Sequence, residues 1–139
     1  MVQNIRVAQE GYHSETQTYA NVSASLTTYY PQANPTENVV TGWGAPCGGG
    51  CITDWSVLPI HVDGPVMFGY ATVAGPAGTN PTPSTITVNG QAVNFPQPST
   101  VDWFLIAASC DLDNDGKLPN TTVYTTSWSS AVMVDSEGN

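Results

Sequence analysis

Three carboxylates stand at alternate positions in Asp111-Leu112-Asp113-Asn114-Asp115-Gly116, ahead of a glycine that permits a sharp turn. Oxygens at positions one, three and five of such a loop are calcium ligands, and a cation relieves the repulsion among the carboxylates. Continuing the count, the carbonyl of Lys117 takes position seven. Pro119 stands ninth and Thr122 twelfth, where a calcium loop usually supplies a bidentate Glu. The candidate metal residues are therefore Asp111, Asp113, Asp115 and Lys117, with calcium as the ion and no other cofactor expected. Without the Glu, the expected affinity is no tighter than about 10⁻⁴ to 10⁻³ M. The same string also serves as a hairpin turn with solvated aspartates, because Asn, Asp and Gly are the residues turns require.

A second group is sulfur. Cys47-Gly48-Gly49-Gly50-Cys51 sets two thiols four positions apart around three glycines, the residue most able to bend a chain into disulfide range. We expect Cys47 and Cys51 to be joined, with Cys110 outside the bridge as a small buried hydrophobe at the end of an apolar run. A zinc or redox site would need more ligands, and His13, His61 and Cys110 offer none of the paired spacing such sites use. His13 and His61 are read as surface or packing residues, because no nucleophile or acid motif accompanies either. Hydrolase, phosphate-loop and zinc-protease signatures are all missing, so no catalytic residue is assigned and the chain is not expected to be an enzyme.

The elements that must position these groups show in the periodicity. Val2, Ile5, Ala8, Gln9 and Tyr12 recur at steps of three and four, which predicts a helix over about 2–14. Residues 16–64 read as a long connection rich in Thr, Tyr, Asn, Pro and Gly. A sheet follows over 65–135. Its first strand is Val66-Met67-Phe68-Gly69-Tyr70-Ala71-Thr72-Val73-Ala74. Asn89-Gly90 joins Thr85-Ile86-Thr87-Val88 to Gln91-Ala92-Val93-Asn94-Phe95 as a hairpin. Residues 101–109 form an apolar central strand, and 122–134 alternate and close the sheet. The proline-rich stretch 76–99 is expected to be an elaborated loop or a hairpin projecting from the sheet. Trp55 and Trp103, in apolar contexts, are expected in the core. The fold class is α+β, an N-terminal amphipathic helix packed on an antiparallel sheet, within a single domain over 1–139.

Composition narrows the partners. Two basic residues face eleven acidic ones, for a net charge of −9, and such a surface repels phosphates, so no nucleic acid partner is expected. Charged residues make up only 9%, against roughly 25% in ordinary soluble domains. That uncharged polar composition suits secreted and surface proteins. No segment approaches the about 18 consecutive apolar residues of a membrane-spanning helix.

The run Ile5-Arg6-Val7-Ala8-Gln9-Glu10-Gly11-Tyr12-His13-Ser14-Glu15-Thr16-Gln17-Thr18-Tyr19-Ala20 resembles the end of the long first helix and the following turn of type IV pilins and pseudopilins. Downstream, Trp55-Ser56-Val57-Leu58, Val66-Met67-Phe68-Gly69-Tyr70, Ala74-Gly75 and the stretch from Ile106 through the acidic turn to Gly116 look, in order, like the strands and turn of pilin-like proteins. The resemblance implies a pilin-like fold and a structural subunit of a pilus or pseudopilus, minor-pilin-like, acting in filament assembly, adhesion, motility or secretion. It implies other pilin subunits as partners and a periplasmic or cell-surface location. It also implies an apolar helix upstream of Met1 that holds the subunit in the inner membrane before assembly. The alternative function is an extracellular β-rich module that binds carbohydrate or another surface ligand through tryptophans.

Overall fold

A computed structural model describes residues 1–32, 41–44, 47, 51–113, 115 and 121–135. One N-terminal helix lies against an antiparallel sheet, an α+β arrangement. Helix α1 spans Val2–Thr16 and buries Val2, Ile5, Ala8 and Gln9, the stripe its periodicity marks. It ends at Gln17, whose left-handed backbone (φ 64°) lets its N–H bond the His13 carbonyl at 2.8 Å. Among the described residues no helix is long and apolar enough to cross a membrane.

The strands are β1 (Gly69–Gly75), β2 (Thr85–Val88), β3 (Gln91–Asn94), β4 (Trp103–Cys110), β5 (Thr121–Thr126) and β6 (Ser129–Asp135). The main sheet runs β1-β4-β5-β6, and β2 with β3 forms a separate hairpin. The alternating stretch 122–134 is therefore two strands, with Ser127 and Trp128 turning between them. No Gly, Pro or Asn marks that turn. It is held instead by the Ser127 amide on the Phe104 carbonyl (3.1 Å) and by Ser127 Oγ, which accepts from the Phe104 amide (3.1 Å), both on a strand distant in sequence.

Strand alternation sends β4 side chains to opposite faces. Phe104, Ile106 and Ala108 join Tyr70 and Ala74 under α1. Trp103, Leu105 and Ala107 join Ala71 and Val73 on the other side, where Ile86 and Phe95 of the hairpin segment cover them. The 76–99 stretch therefore does not project; it caps the second face. An isolated two-stranded hairpin is marginal in water and gains its stability by packing. Gly75 makes room for that layer, since a Cβ there would lie 2.6 Å from the Trp103 ring. Asn89 (φ 51°) and Gly90 (φ 79°) give the tight turn the positive dihedrals that Asn-Gly readily adopts.

The outer edge of β1 is closed by the connection. Tyr30 exchanges both backbone hydrogen bonds with Tyr70 (2.8 and 2.7 Å). The Ser23 amide donates to the Thr72 carbonyl (2.9 Å), Ser23 Oγ accepts from the Thr72 amide (3.1 Å), and Asn21 Oδ1 accepts from the Ala74 amide (3.1 Å). A strand edge with its groups so engaged offers little template for pairing with another chain. What the sequence presents as an irregular connection is the cover of a sheet edge.

Candidate functional site

The acidic turn lies between β4 and β5. Asp111 directly follows Cys110, which pairs with Thr121 at the mouth of the two strands, and it is buried, whereas Asp113 and Asp115 are exposed. One oxygen from each converges within 4.8 Å of the others. Asp113 Oδ1 also accepts from the Asp115 amide at 3.3 Å. Sharing a hydrogen bond with Asp111 pushes the Asp113 carboxyl above its ordinary 3.8, and the charges of Asp115 and Asp111 add to the rise. An all-carboxylate oxygen set of this kind fits a hard cation such as calcium. Lys117 lies outside the described residues, as do Asn114 and Gly116.

Cys47 and Cys51 form a disulfide with Cα atoms 6.0 Å apart. The bridge is anchored on the edge cover of β1, since Cys51 pairs with Ser23 and the Ile52 amide donates to the Val22 carbonyl at 2.7 Å. Cys110 takes no part in it and is buried within β4. Beside it, burial pushes the Tyr70 phenol up to about 12, with Cys110 adding, so that ring acts as an un-ionised wall.

Next to the bridge, the connection gathers aromatic rings. Tyr30 and Trp55 lie parallel with centroids 5.5 Å apart, and Trp43 stands nearly perpendicular to both, at 5.0 and 5.3 Å. These rings wall a cleft of about 280 Å³ with Asp54, Ser56 and Leu58. Asp54 caps a single 3-10 turn (Trp55–Val57), accepting from the Ser56 amide at 2.8 Å. That bond holds the exposed Asp54 carboxyl below its ordinary value. Trp55 is only 2% exposed, and its indole N–H has no hydrogen-bond partner among the described residues. A buried donor left unmade costs about 1–3 kcal/mol, so it calls for an explanation. Trp55 and Trp103 are both core residues, and the Trp103 indole N–H donates to Thr79 Oγ1 at 3.0 Å.

His13 lies 2.9 Å from Asp102 Oδ2 and stacks on Tyr19 at 4.3 Å. The other Asp102 oxygen accepts from the Ala77 amide at 2.9 Å. That bond, and then His13, hold the Asp102 carboxyl below its ordinary value. His13 and Asp102 thus tie the end of α1 to the root of the hairpin layer. No nucleophile joins this pair among its described contacts, and His61 is exposed on the cleft between α1 and the 59–61 segment.

Several of these roles are invisible in the pattern of residue types. Arg6 reads as an ordinary helix cation, yet its Nη1 donates to Thr125 Oγ1 (3.2 Å) and to the carbonyls of Thr126 (2.5 Å) and Ser129 (3.0 Å), with the guanidinium 5.4 Å from the Phe104 ring centre. Gln9 shows in the buried stripe, but not its three bonds: to the Ala20 carbonyl (2.8 Å), to Thr72 Oγ1 (2.9 Å) and from the Ala20 amide (2.8 Å). Asp54 had a signal, because an Asp two residues before Ser56 is a helix-capping pattern. No known family model, curated protein or solved structure matches the chain.

Proposed function

We propose that this chain is the globular head of a type IV pilin-like subunit, minor-pilin-like, whose role is structural: packing into a pilus or pseudopilus. The observation that supports this most is an N-terminal helix laid along one face of a sheet with a side chain left over for a neighbour. Helix α1 buries Val2, Ile5, Ala8 and Gln9 against the sheet, while Val7 on its outward side is 70% exposed. Beside Val7 an open groove of about 410 Å³ runs along Asn4, Ala8 and Gly11 to Pro59 and Ile60. A helix that faces inward in a filament needs such an outward apolar strip to meet its neighbours, and an exposed apolar patch is a common mark of an interface.

On this reading the partners are other pilin subunits, the location is the periplasm before assembly and the cell surface after it, and calcium, held by the acidic turn, steadies the mouth of β4 and β5. Two observations test it. The native coding sequence upstream of Met1 is expected to encode a short basic leader and about 20 apolar residues. Antibody to the domain is expected to label filaments sheared from the cells, and Val7→Glu to abolish that labelling while the purified domain keeps its melting temperature. A coding sequence without the apolar segment, or labelling unaffected by Val7→Glu, overturns the assignment.

A further inference from the structure

We propose that Asn21 is an acceptor for N-linked glycosylation, taking an oligosaccharide onto its Nδ2 from a lipid-phosphate-linked donor. Asn21-Val22-Ser23 carries the acceptor pattern Asn-x-Ser/Thr, in which x is not Pro. The geometry adds what the pattern alone lacks. Ala20, Val22 and Ser23 are buried, and Asn21 among them is exposed. The backbone on both sides is fixed, since Gln9 holds the Ala20 amide and carbonyl, the Ile52 amide donates to the Val22 carbonyl at 2.7 Å, and Ser23 is bonded to Thr72. Asn21 Oδ1 accepts from the Ala74 amide at 3.1 Å, whereas Nδ2 donates to no group among the described residues. Because Oδ1 alone is tied to the sheet, a substituent on Nδ2 leaves that bond intact. Asn21 belongs to the edge cover of β1 and not to the lining of the groove beside Val7, so the site is independent of the assembly reading.

In the transfer Nδ2 loses one proton and bonds the anomeric carbon of the first sugar, while the bond from that carbon to the phosphate oxygen breaks and the lipid phosphate leaves with the electron pair. No oxidant or reductant takes part. The Cys47–Cys51 bridge, joined to this segment through the pairing of Cys51 with Ser23, is the chemistry of oxidising compartments outside the cytosol, the side of the membrane on which such donors are used. Ser23, whose hydroxyl completes the pattern, is 0% exposed, so a transferase reads the segment only before it folds onto β1. Afterwards the glycan stands off the β1 edge and adds a hydrophilic guard against strand pairing. Asn34-Pro35-Thr36 and Asn80-Pro81-Thr82 match the pattern except for the forbidden Pro and are internal controls. The second permitted match, Asn120-Thr121-Thr122, has its Asn outside the described residues. A role for Asn21 as an edge cap alone uses only Oδ1, and Asn21→Asp, which keeps that oxygen, separates the two.

The test is mass mapping of peptides from the protein recovered from the cells that make it. The peptide holding Asn21 is expected to carry the added mass of an oligosaccharide and the peptide holding Asn80 none. Asn21→Asp is expected to lose that mass, and when made in a host without the transferase to melt at the same temperature as the parent chain made there. Membranes of the native cells, which hold the transferase and its donor, are expected to modify a synthetic peptide of residues 16–27 and to leave the folded, unmodified chain bare. A bare Asn21 in the native protein makes it an edge cap only and overturns the proposal. Added mass that persists in Asn21→Asp, or a folded chain modified as readily as the peptide, overturns it as well.

Discussion

The two faces of the main sheet are covered by different means. On the helix face, aliphatic and aromatic side chains, Phe104 and Tyr70 among them, do the burying and directional polar bonds do the placing: Gln9 is locked to Ala20 and Thr72, and Arg6 reaches across to Thr125, Thr126 and Ser129. On the hairpin face, three flat rings lie nearly parallel to their neighbours among aliphatic side chains. Trp128 stacks on Phe95 at 5.1 Å and lies nearly parallel to Trp103 at 6.4 Å. A fifteen-residue helix can slide or rotate on a sheet, and hydrogen bonds of fixed geometry stop it. A short hairpin has little area to bury, so stacked rings add to its hold, and the Asn89 amide, donating to Asp135 Oδ1 at 2.7 Å, fixes its tip. The difference teaches that the helix layer is positioned by long polar side chains, and the hairpin layer by stacked rings together with a polar tie at its tip.

The largest effect is expected where the helix face is emptied. Phe104 is fully buried beneath Arg6 and Tyr19, and Phe104→Ala is expected to cost about 4 kcal/mol, read by urea unfolding with an unchanged slope. A loss under 1 kcal/mol would mean that this face is not a packed core. Next comes Gln9→Ala, which strands the Ala20 amide and carbonyl in a buried setting and should cost about 3 kcal/mol. If Gln9→Ala proves as mild as a surface change, the placing role given to polarity fails.

Trp128→Ala sharpens the comparison from the other side, because Trp128 is half-buried and packs against the hairpin face. About 2 kcal/mol is expected, confined by hydrogen exchange to amides of β2 and β3 while those of β1 and β4 stay protected. Uniform loss of protection would instead make the two layers one cooperative unit.

The smallest effect belongs to the acidic turn, which lies at the mouth of β4 and β5 rather than on either face. Calcium at about ten times its Kd is expected to add about 1.4 kcal/mol to unfolding, a gain that Asp113→Ala removes. The proton linkage carries a definite sign. In calcium-free protein the Asp113 carboxyl sits above 3.8, so its contribution favours the folded state at low pH and is lost as pH rises through that raised value. Calcium is expected to reverse the shift, seen by NMR titration of the Asp113 carboxyl carbon. An unmoved titration curve would leave the turn a simple hairpin connection.

The elements legible in the sequence are those specified within a few residues. The stripe Val2, Ile5, Ala8 and Gln9 announces a helix because residues three and four apart share a face whatever lies beyond them. Asn89-Gly90 announces its hairpin because only small or glycine-like residues take two positive φ angles in a row, and Cys47 and Cys51 lie within reach across three glycines. Asp111, Asp113 and Asp115 are close in space chiefly because they are close in sequence. Elsewhere the deciding partners are remote. The turn at Ser127 and Trp128 depends on Phe104, the hydrogen bond of His13 needs Asp102, and the aromatic cleft joins Tyr30 and Trp43 to Trp55. The same holds for the proline-rich stretch, whose Ile86 and Phe95 look exposed in a lone hairpin until Leu105 and Ala107 stand beneath them. Sequence alone determined which short segments curl, extend or turn, since those preferences arise from dihedral sterics and local hydrogen bonds. Only the tertiary structure decided that the sheet would be buried on both faces and along its β1 edge, because unmet apolar area and unpaired backbone groups are satisfied by whichever distant segment folds against them.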